Sequence, residues 1–202
     1  MFLRPALLRE DKMFTSILLA AFTSYVAADA VPGFVQAGRC ADLPIQGGFD
    51  MREYAGRWYQ THAIPNPYEP GTSCLHAYFD YRPTLPGFNV TSVGLGDKKD
   101  YLRLEFDVYP VSEYPAAHML LDAPSMIAAS FEVVETDYKT YSCVYSCNSL
   151  GDYKADFGFV FTRSLAHAGP AAERCAEVFN KNGVEFSRFE PVPHPKDCVY
   201  RA

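Results

Sequence analysis

The sequence predicts an all-β protein, an eight-stranded antiparallel up-and-down barrel with one flanking C-terminal α-helix. Short runs of alternating apolar and polar residues are separated by Pro, Gly, Asp and Asn, which is typical of a β-meander. The clearest run is Tyr101 to Tyr109, where every second residue from Leu102 onward is apolar. The chain also contains 15 Phe and 14 Tyr but one Trp, a composition that favours strands and apolar pockets.

Eight such runs follow Gly48, and their starts are 10 to 16 residues apart. They begin near Arg57, Ser73, Gly87, Tyr101, Ala117, Ser130, Thr140 and Ala155. Eight antiparallel strands with one apolar face close into a barrel that is wide enough for one small ligand. The interior of this barrel is therefore either a filled core or a binding pocket.

One segment after the eighth run has helical spacing instead. Gly169-Pro170 opens it and Asn182-Gly183 closes it. Its apolar residues recur at helical intervals: Ala172, Cys175, Val178 and Phe179. Since the apolar side contains a cysteine, we expect the helix to dock on the outside of the barrel through a disulfide. A last short strand is predicted from Val184 to Phe189.

The first 28 residues resemble a secretory signal peptide. Three basic residues precede an apolar run from Met13 to Val26, and small residues follow, so that cleavage after Ala28 is expected. A membrane anchor is the alternative, but the run is about 14 residues long where a span needs about 20. Met13 also begins a complete signal peptide, so residues 1–12 are a possible upstream extension, and the sequence leaves the start open. Residues 29–202 are predicted to form one secreted domain.

Charge and residue spacing argue against two classes of partner. The net charge is −6, and no dense cluster of Lys and Arg exists that could bind phosphates, so nucleic acid is not expected. The five histidines include no pair four residues apart, and the cysteines form no paired C-x-x-C knuckles. A metal site is therefore not expected either.

All six cysteines follow the predicted cleavage site, and in an oxidising compartment an even number predicts three disulfides. Six cysteines allow fifteen connectivities. Cys143 and Cys147 lie four residues apart in one predicted strand, which places their Cα atoms about 13 Å apart and beyond disulfide reach. Twelve connectivities remain open on these grounds.

Three short motifs resemble those of the lipocalin family. The first strand contains Gly56-x-Trp58, the turn between the sixth and seventh predicted strands contains Thr136-Asp137-Tyr138, and Arg163 ends the eighth strand. The resemblance implies that Trp58 plugs the closed end of the barrel and that Arg163 packs over its ring. These roles concern the fold and not the chemistry of a ligand.

Longer stretches of the chain resemble the crustacyanins, which are carotenoid-binding lipocalins, and in particular their C-subunit type: YAGRWYQTHAI, PAAHMLLDAPS, ETDYKTYSCVYSC and VFNKNGVEFSRF. The resemblance implies three bridges, Cys40 with Cys147, Cys74 with Cys198, and Cys143 with Cys175. It also implies a bound carotenoid such as astaxanthin and no other cofactor. A further implication is pairing with a second lipocalin subunit into heterodimers that associate further.

Four residues are expected to contact the ligand. His118, Gln60 and Tyr68 match positions near the ligand in the crustacyanin pattern, although a lone histidine such as His118 is often an ordinary strand-edge residue. Asn89-Val90-Thr91 is a glycosylation sequon, which is either used or a chance match. If Asn89 points outward, the period of a strand turns Ser92 into the barrel, and Ser92 is then the fourth expected ligand contact.

The resulting expectation is a secreted protein that binds astaxanthin, shifts its colour and does not transform it. The alternative is a carrier of another apolar ligand, a bilin, a steroid or a fatty acid, of the apolipoprotein-D-like type. A lipocalin enzyme resembling prostaglandin synthase would need a free cysteine, and an even cysteine count offers none. A surface protein whose interior is simply filled is the remaining possibility.

Overall fold

A computed structural model of the protein describes residue 32 and residues 34–112, 114–123 and 128–201. The predicted signal peptide, residues 1–28, lies outside the described residues. The strands are Val35–Ala37 (β1), Gly56–Ala63 (β2), Ser73–Tyr81 (β3), Phe88–Leu95 (β4), Tyr101–Pro110 (β5), His118–Asp122 (β6), Ala129–Thr136 (β7), Tyr141–Leu150 (β8), Tyr153–Thr162 (β9) and Glu190–Pro191 (β10). The helices are Met51–Tyr54 (α1) and Ala168–Lys181 (α2).

Strands β2 to β9 form a closed antiparallel barrel. Each strand pairs with the next in sequence, and β9 also pairs with β2, which closes the sheet on itself. Strand β1 pairs with the first three residues of β9, and the two-residue β10 pairs with the end of β2. This is the eight-stranded up-and-down barrel with a C-terminal helix that the sequence predicted, and that prediction is confirmed.

The predicted strand from Val184 to Phe189 is wrong. Residues Phe186–Arg188 form a 3₁₀ turn, and only Glu190–Pro191 pair with the barrel. In a 3₁₀ turn, residues three apart lie on the same side. Phe186 and Phe189 therefore stack on each other, with ring centroids 4.6 Å apart, and Phe189 packs against Phe179 of α2.

Two apolar cores lie on opposite sides of the barrel wall. The inner core fills part of the interior and includes Trp58, Phe79 and Phe88. The outer core lies between α2 and the outer faces of β8 and β9, where Phe179 and Val160 are buried. Helix α2 thus docks on the outside of the barrel, as its amphipathic spacing predicted.

Three disulfides tie peripheral segments to this wall. They are Cys40–Cys147, Cys74–Cys198 and Cys143–Cys175, the same pairs that the resemblance implied. Cys143 and Cys147 lie on the outer face of β8, where they hold α2 and the N-terminal segment respectively. Among the residues that the structure describes, no helix is long and apolar enough to cross a membrane.

Candidate ligand-binding site

The inward face of β5 shows which end of the barrel is open. Val108, Phe106, Leu104 and Leu102 alternate with outward residues along this strand, and their cross-strand partners on β4 are Phe88, Val90, Ser92 and Gly94. Val108 is completely buried, whereas Leu102 is 42% exposed. Exposure therefore rises from the Val108 end to the Leu102 end of one apolar face. The barrel is closed at the first end and has its mouth at the second.

The closed end is packed with aromatic rings. Tyr54 lies 5.0 Å from Trp58 and 5.3 Å from Phe79, measured between ring centroids. Phe79 in turn contacts Phe88 edge to face at 5.5 Å. These four residues are buried. A ligand can therefore occupy only the part of the interior between this aromatic floor and the mouth.

A loop, residues 64–72, folds over one edge of the mouth. The Thr72 backbone N–H donates a hydrogen bond of 3.1 Å to the Leu95 carbonyl oxygen at the end of β4. Gly71 lies so close that a Cβ atom placed there would be 2.7 Å from the carbonyl carbon and oxygen of Leu95. Backbone contact of this kind requires glycine. The loop is therefore held firmly against the barrel at this point.

Gln60 connects this loop to the interior. It lies opposite Phe161, a member of the inner core, so its side chain points inward, and it is 5% exposed. Its Nε2 donates to Glu69 Oε1 over 2.8 Å. Asn66 Nδ2 donates to the same oxygen over 3.2 Å. The structure thus places the predicted contact Gln60 in the interior, with one amide hydrogen engaged by the loop.

Glu69 is a site residue that sequence reasoning missed. Burial raises the pKa of its carboxyl group above the usual value, and the hydrogen bonds from Gln60 and Asn66 counteract part of that shift. The residue lies in a Pro-rich loop without any hydrophobic period, so no local pattern indicates that its carboxyl group reaches the barrel. Its position next to Tyr68 was the only available hint.

Tyr68 lies at the mouth, where the sequence predicted a ligand contact. Its ring packs edge to face against Phe34, at 5.8 Å, and against Phe157, at 6.0 Å. Phe157 lies on the inward side of β9, two residues from Phe159 and four from the inner-core residue Phe161. The three rings form an aromatic rim, and Tyr68 is 40% exposed.

Ser92 faces the interior and Asn89 faces outward, as strand period predicted. Ser92 lies opposite Ala77, which belongs to the inner core. Asn89 lies on the outer wall and its Nδ2 donates to Asp107 Oδ1 over 3.2 Å. Glycosylation of Asn89 stays a prediction.

His118 does not face the interior, and this corrects the expectation that it contacts a ring inside the barrel. Its neighbour Met119 is completely buried in the inner core, so the period of the strand turns His118 to the outer wall. There its Nδ1 lies 2.7 Å from Glu132 Oε1, and Tyr114 stacks on its ring at 4.4 Å. Its place is in an outer groove of about 400 Å³ that Cys40 and Ser149 also line.

The motif residues form the closed end of the barrel. The Arg163 guanidinium carbon lies 3.8 Å from the centre of the Trp58 ring system, and its Nη1 donates to the Arg57 carbonyl oxygen. Gly56 begins β2 with a φ of +96°. The turn Thr136-Asp137-Tyr138 is held by Asp137 Oδ1, which accepts hydrogen bonds from three backbone N–H groups. Arg163 Nε donates a hydrogen bond to the Tyr138 carbonyl oxygen.

The described residues contain no cluster of three or more His, Cys, Asp or Glu that could hold a metal ion. All six cysteines of the chain lie in the three disulfides. The site consequently consists of apolar walls, an aromatic floor and rim, and a few polar side chains. A pocket of this composition binds apolar molecules and orients them through those polar groups.

Comparison with known proteins supports this interpretation. No family model matches the chain. The crustacyanin-A1 and crustacyanin-C1 subunits of Homarus gammarus are each 29% identical to it over 178 residues, which covers 85% of this chain and 97% of each relative. Apolipoprotein D of Macaca fascicularis is 25% identical over 184 residues, covering 90% of this chain and 95% of the relative. The structure of H1 crustacyanin from Homarus americanus aligns with a TM-score of 0.72 at 29% identity, over 84% of this chain and 96% of that one.

The closed barrel, the external helix and the apolar interior give the chain the lipocalin fold. The similarities support a lipocalin of the crustacyanin type. Together with the similarity to apolipoprotein D, they support a protein that binds small apolar ligands. None of the relatives named above is called an enzyme.

Proposed function

We propose that the chain is a secreted carotenoid-binding protein that holds one end of astaxanthin, or of a close keto-carotenoid, between the aromatic floor and the mouth of the barrel. The observation that carries the proposal is the lining itself. Apolar side chains such as Leu104 and Phe159 surround inward polar groups that include Gln60, Ser92 and Ser146. The crustacyanin resemblance supports a carotenoid in particular.

Affinity comes from the hydrocarbon part of the pigment. Burial of apolar surface contributes about 25 cal/mol per Å², before the costs of association. A ketone oxygen only accepts hydrogen bonds, and leaving it unpaired in the barrel costs about 1–3 kcal/mol. The available donors include the second Nε2 hydrogen of Gln60, the hydroxyl groups of Ser92 and Ser146, and the Tyr68 hydroxyl at the rim. A donor at this oxygen draws electron density along the conjugated chain and moves absorption to longer wavelength.

We infer binding without chemical transformation. Every cysteine is in a disulfide, so the chain has no thiol nucleophile. Three disulfides also favour an oxidising, extracellular location, which fits the predicted signal peptide. The barrel is much shorter than an extended carotenoid, so part of the pigment protrudes from the mouth.

The protruding pigment supports pairing with a second lipocalin subunit. Tyr68 and Tyr101 are each 40% exposed on the described surface, and aromatic residues are enriched in protein interfaces. The names of the crustacyanin relatives call them subunits. Sedimentation of the protein with and without astaxanthin tests this point, because a strict monomer in both states contradicts a subunit role.

The second candidate is a carrier of a bilin, a steroid or a fatty acid, which the similarity to apolipoprotein D favours. A competition experiment separates the two candidates. The protein, secreted from cells that express the full chain, is incubated with equal amounts of astaxanthin, biliverdin, progesterone and palmitate and then passed through a gel-filtration column. Extraction of the protein peak is expected to yield mainly astaxanthin. A peak that carries one of the other three ligands instead supports the general carrier.

A further inference from the structure

We propose that Glu69 is the contact for the polar end of the ligand, and that its carboxyl group binds in the neutral form and donates a hydrogen bond from Oε2 to an acceptor oxygen such as a ketone. This inference rests on the proposed function and adds a residue and a chemical requirement to it. The ligand must carry an acceptor oxygen at the end that enters the barrel.

The position of Glu69 is fixed from two directions. Gly71, two residues further along, touches the Leu95 backbone, and the Thr72 N–H bonds to the Leu95 carbonyl oxygen. On the barrel side, the Glu69 carboxyl group lies 2.8 Å from the inward Gln60 amide. The loop therefore holds the carboxyl group at the mouth and turns it toward the interior.

The two carboxyl oxygens of Glu69 have different surroundings. Oε1 accepts hydrogen bonds from both Gln60 Nε2 and Asn66 Nδ2. Oε2 accepts none from the part of the chain that the structure describes. Because both amides hold Oε1, the orientation of the group is set in advance and Oε2 is the oxygen left for a ligand.

The electrostatic surroundings favour the neutral acid. The raised pKa of Glu69 comes first from burial, and no charged side chain among the described residues contributes to it. Its titratable neighbour Tyr68 turns its ring toward Phe34 and Phe157. Its hydrogen-bond partners, Gln60 from β2 and Asn66 from the loop, do not titrate. A ketone oxygen that accepts a hydrogen bond from the protonated carboxyl group stabilises this neutral form and raises the pKa of Glu69 further.

The sign of the pH dependence follows from this chemistry. Only the protonated carboxyl group donates to a ketone, so binding of such a ligand takes up a proton. Affinity is then highest at low pH. As pH rises above the pKa of Glu69 in the free protein, affinity falls by up to about tenfold per pH unit until the pKa of the complex is reached.

The test uses two pigments with the same hydrocarbon skeleton. Canthaxanthin carries a ketone on each ring and β-carotene carries none. Each is titrated by absorption into wild type and into Glu69→Gln between pH 5 and 9, and Glu53→Gln serves as the matched control, since Glu53 is exposed on α1 near the closed end. Equal melting temperatures of the three proteins show that folding is intact.

We expect the affinity of wild type for canthaxanthin to fall with rising pH, while its affinity for β-carotene does not change. Glu69→Gln has a permanent donor at this position, so its affinity for canthaxanthin stays high at every pH. Glu53→Gln behaves as wild type. Proton uptake when wild type binds canthaxanthin in weakly buffered solution gives a second measurement that does not depend on a variant.

Two other outcomes are distinguishable. If canthaxanthin binds with the same affinity at every pH, without proton uptake and equally in Glu69→Gln, Glu69 only braces the loop and the inference is wrong while the proposed function stands. If neither pigment binds to any of the proteins, the proposed carotenoid function is wrong and this inference fails with it.

Discussion

The guanidinium carbon of Arg163 lies 3.8 Å from the centre of the Trp58 ring system, directly over the plug of the closed end. The same guanidinium donates hydrogen bonds to the carbonyl oxygens of Arg57, Tyr54 and Tyr138. One side chain therefore joins the start of β2, the end of β9 and the turn after β7. A planar group with several fixed donors can make these contacts together, whereas an ammonium group cannot.

Replacement of this arginine is expected to weaken the whole barrel. Arg163→Lys keeps the charge but loses the stacking on Trp58 and most of the carbonyl contacts, so the free energy of unfolding should fall by about 2–4 kcal/mol. Urea denaturation followed by Trp58 fluorescence measures it. Arg103→Lys, at an exposed pair with Glu105, is the control and should change stability by less than about 0.5 kcal/mol. Equal losses in both variants contradict the role of Arg163.

Asp156 should govern the stability of the outer wall in acid. Burial opposes its ionisation, but hydrogen bonds from Arg188 and Lys154 outweigh that effect and lower its pKa to about 2. A carboxyl group with a lowered pKa stabilises the folded state above the pKa of the unfolded chain, about 3.9, and this stabilisation is lost as pH falls from there toward 2.

Asp156→Asn removes the charge from this network and leaves Arg188 and Lys154 unpaired, so we expect a loss of about 3 kcal/mol at pH 7. The loss should shrink as pH falls from 4 to 2. Denaturant midpoints across this range measure both effects, with the exposed Asp80→Asn as the control. A loss that is the same at pH 2 and at pH 7 argues against an electrostatic origin.

Gly71 should affect ligand binding more than folding. A Cβ at this position would lie 2.7 Å from the backbone of Leu95, so Gly71→Ala must displace the loop that carries Tyr68 and Glu69. We expect pigment affinity to fall about tenfold or more, since misplaced polar groups lose their contacts with the ligand. Gly47→Ala is the matched control, because a Cβ there meets nothing within 4 Å. Unchanged affinity in Gly71→Ala shows that the loop is not part of the site.

Substitutions of His118 and Gln60 are expected to have opposite outcomes for ligand binding, because one side chain faces outward and the other inward. His118→Ala alters only the outer groove, so the affinity for astaxanthin and the absorption maximum of the complex should not change. Gln60→Leu removes an inward donor and should reduce both the affinity, by about tenfold, and the shift of the maximum. Absorption titrations of the two variants measure both quantities. Loss of the shift in His118→Ala contradicts the inward and outward assignment.

Strand order and the inward face of β5 could be predicted because alternation is a local signal. The facing of His118 could not, since the three residues after it, Met119, Leu120 and Leu121, are all apolar and do not alternate. The pairing of His118 with Glu132 and of Met119 with Phe131 determines which side chain faces inward. This register cannot be predicted from the sequence of either strand alone. The 3₁₀ turn at Phe186 is equally hard to see in the sequence, because Val184 and Phe186 also fit the period of two that is typical of a strand.

The mouth of the barrel was the part that sequence reasoning described least well. Tyr68 came only from the crustacyanin resemblance, and nothing local indicated that Glu69 would meet Gln60 across nine residues of chain. Loops that close over a barrel follow from tertiary contacts such as that of Gly71 with Leu95, and these have no periodic pattern.

The absorption spectrum of astaxanthin bound to the purified protein tests the carotenoid proposal most directly. The pigment is added in slight excess, free pigment is removed by gel filtration, and the spectrum of the protein peak is compared with that of astaxanthin in ethanol. Binding between the aromatic floor and the mouth predicts that the pigment elutes with the protein. Its absorption maximum then lies at longer wavelength than in ethanol. A protein peak without pigment at any concentration of astaxanthin contradicts the proposal and leaves a carrier of other apolar ligands.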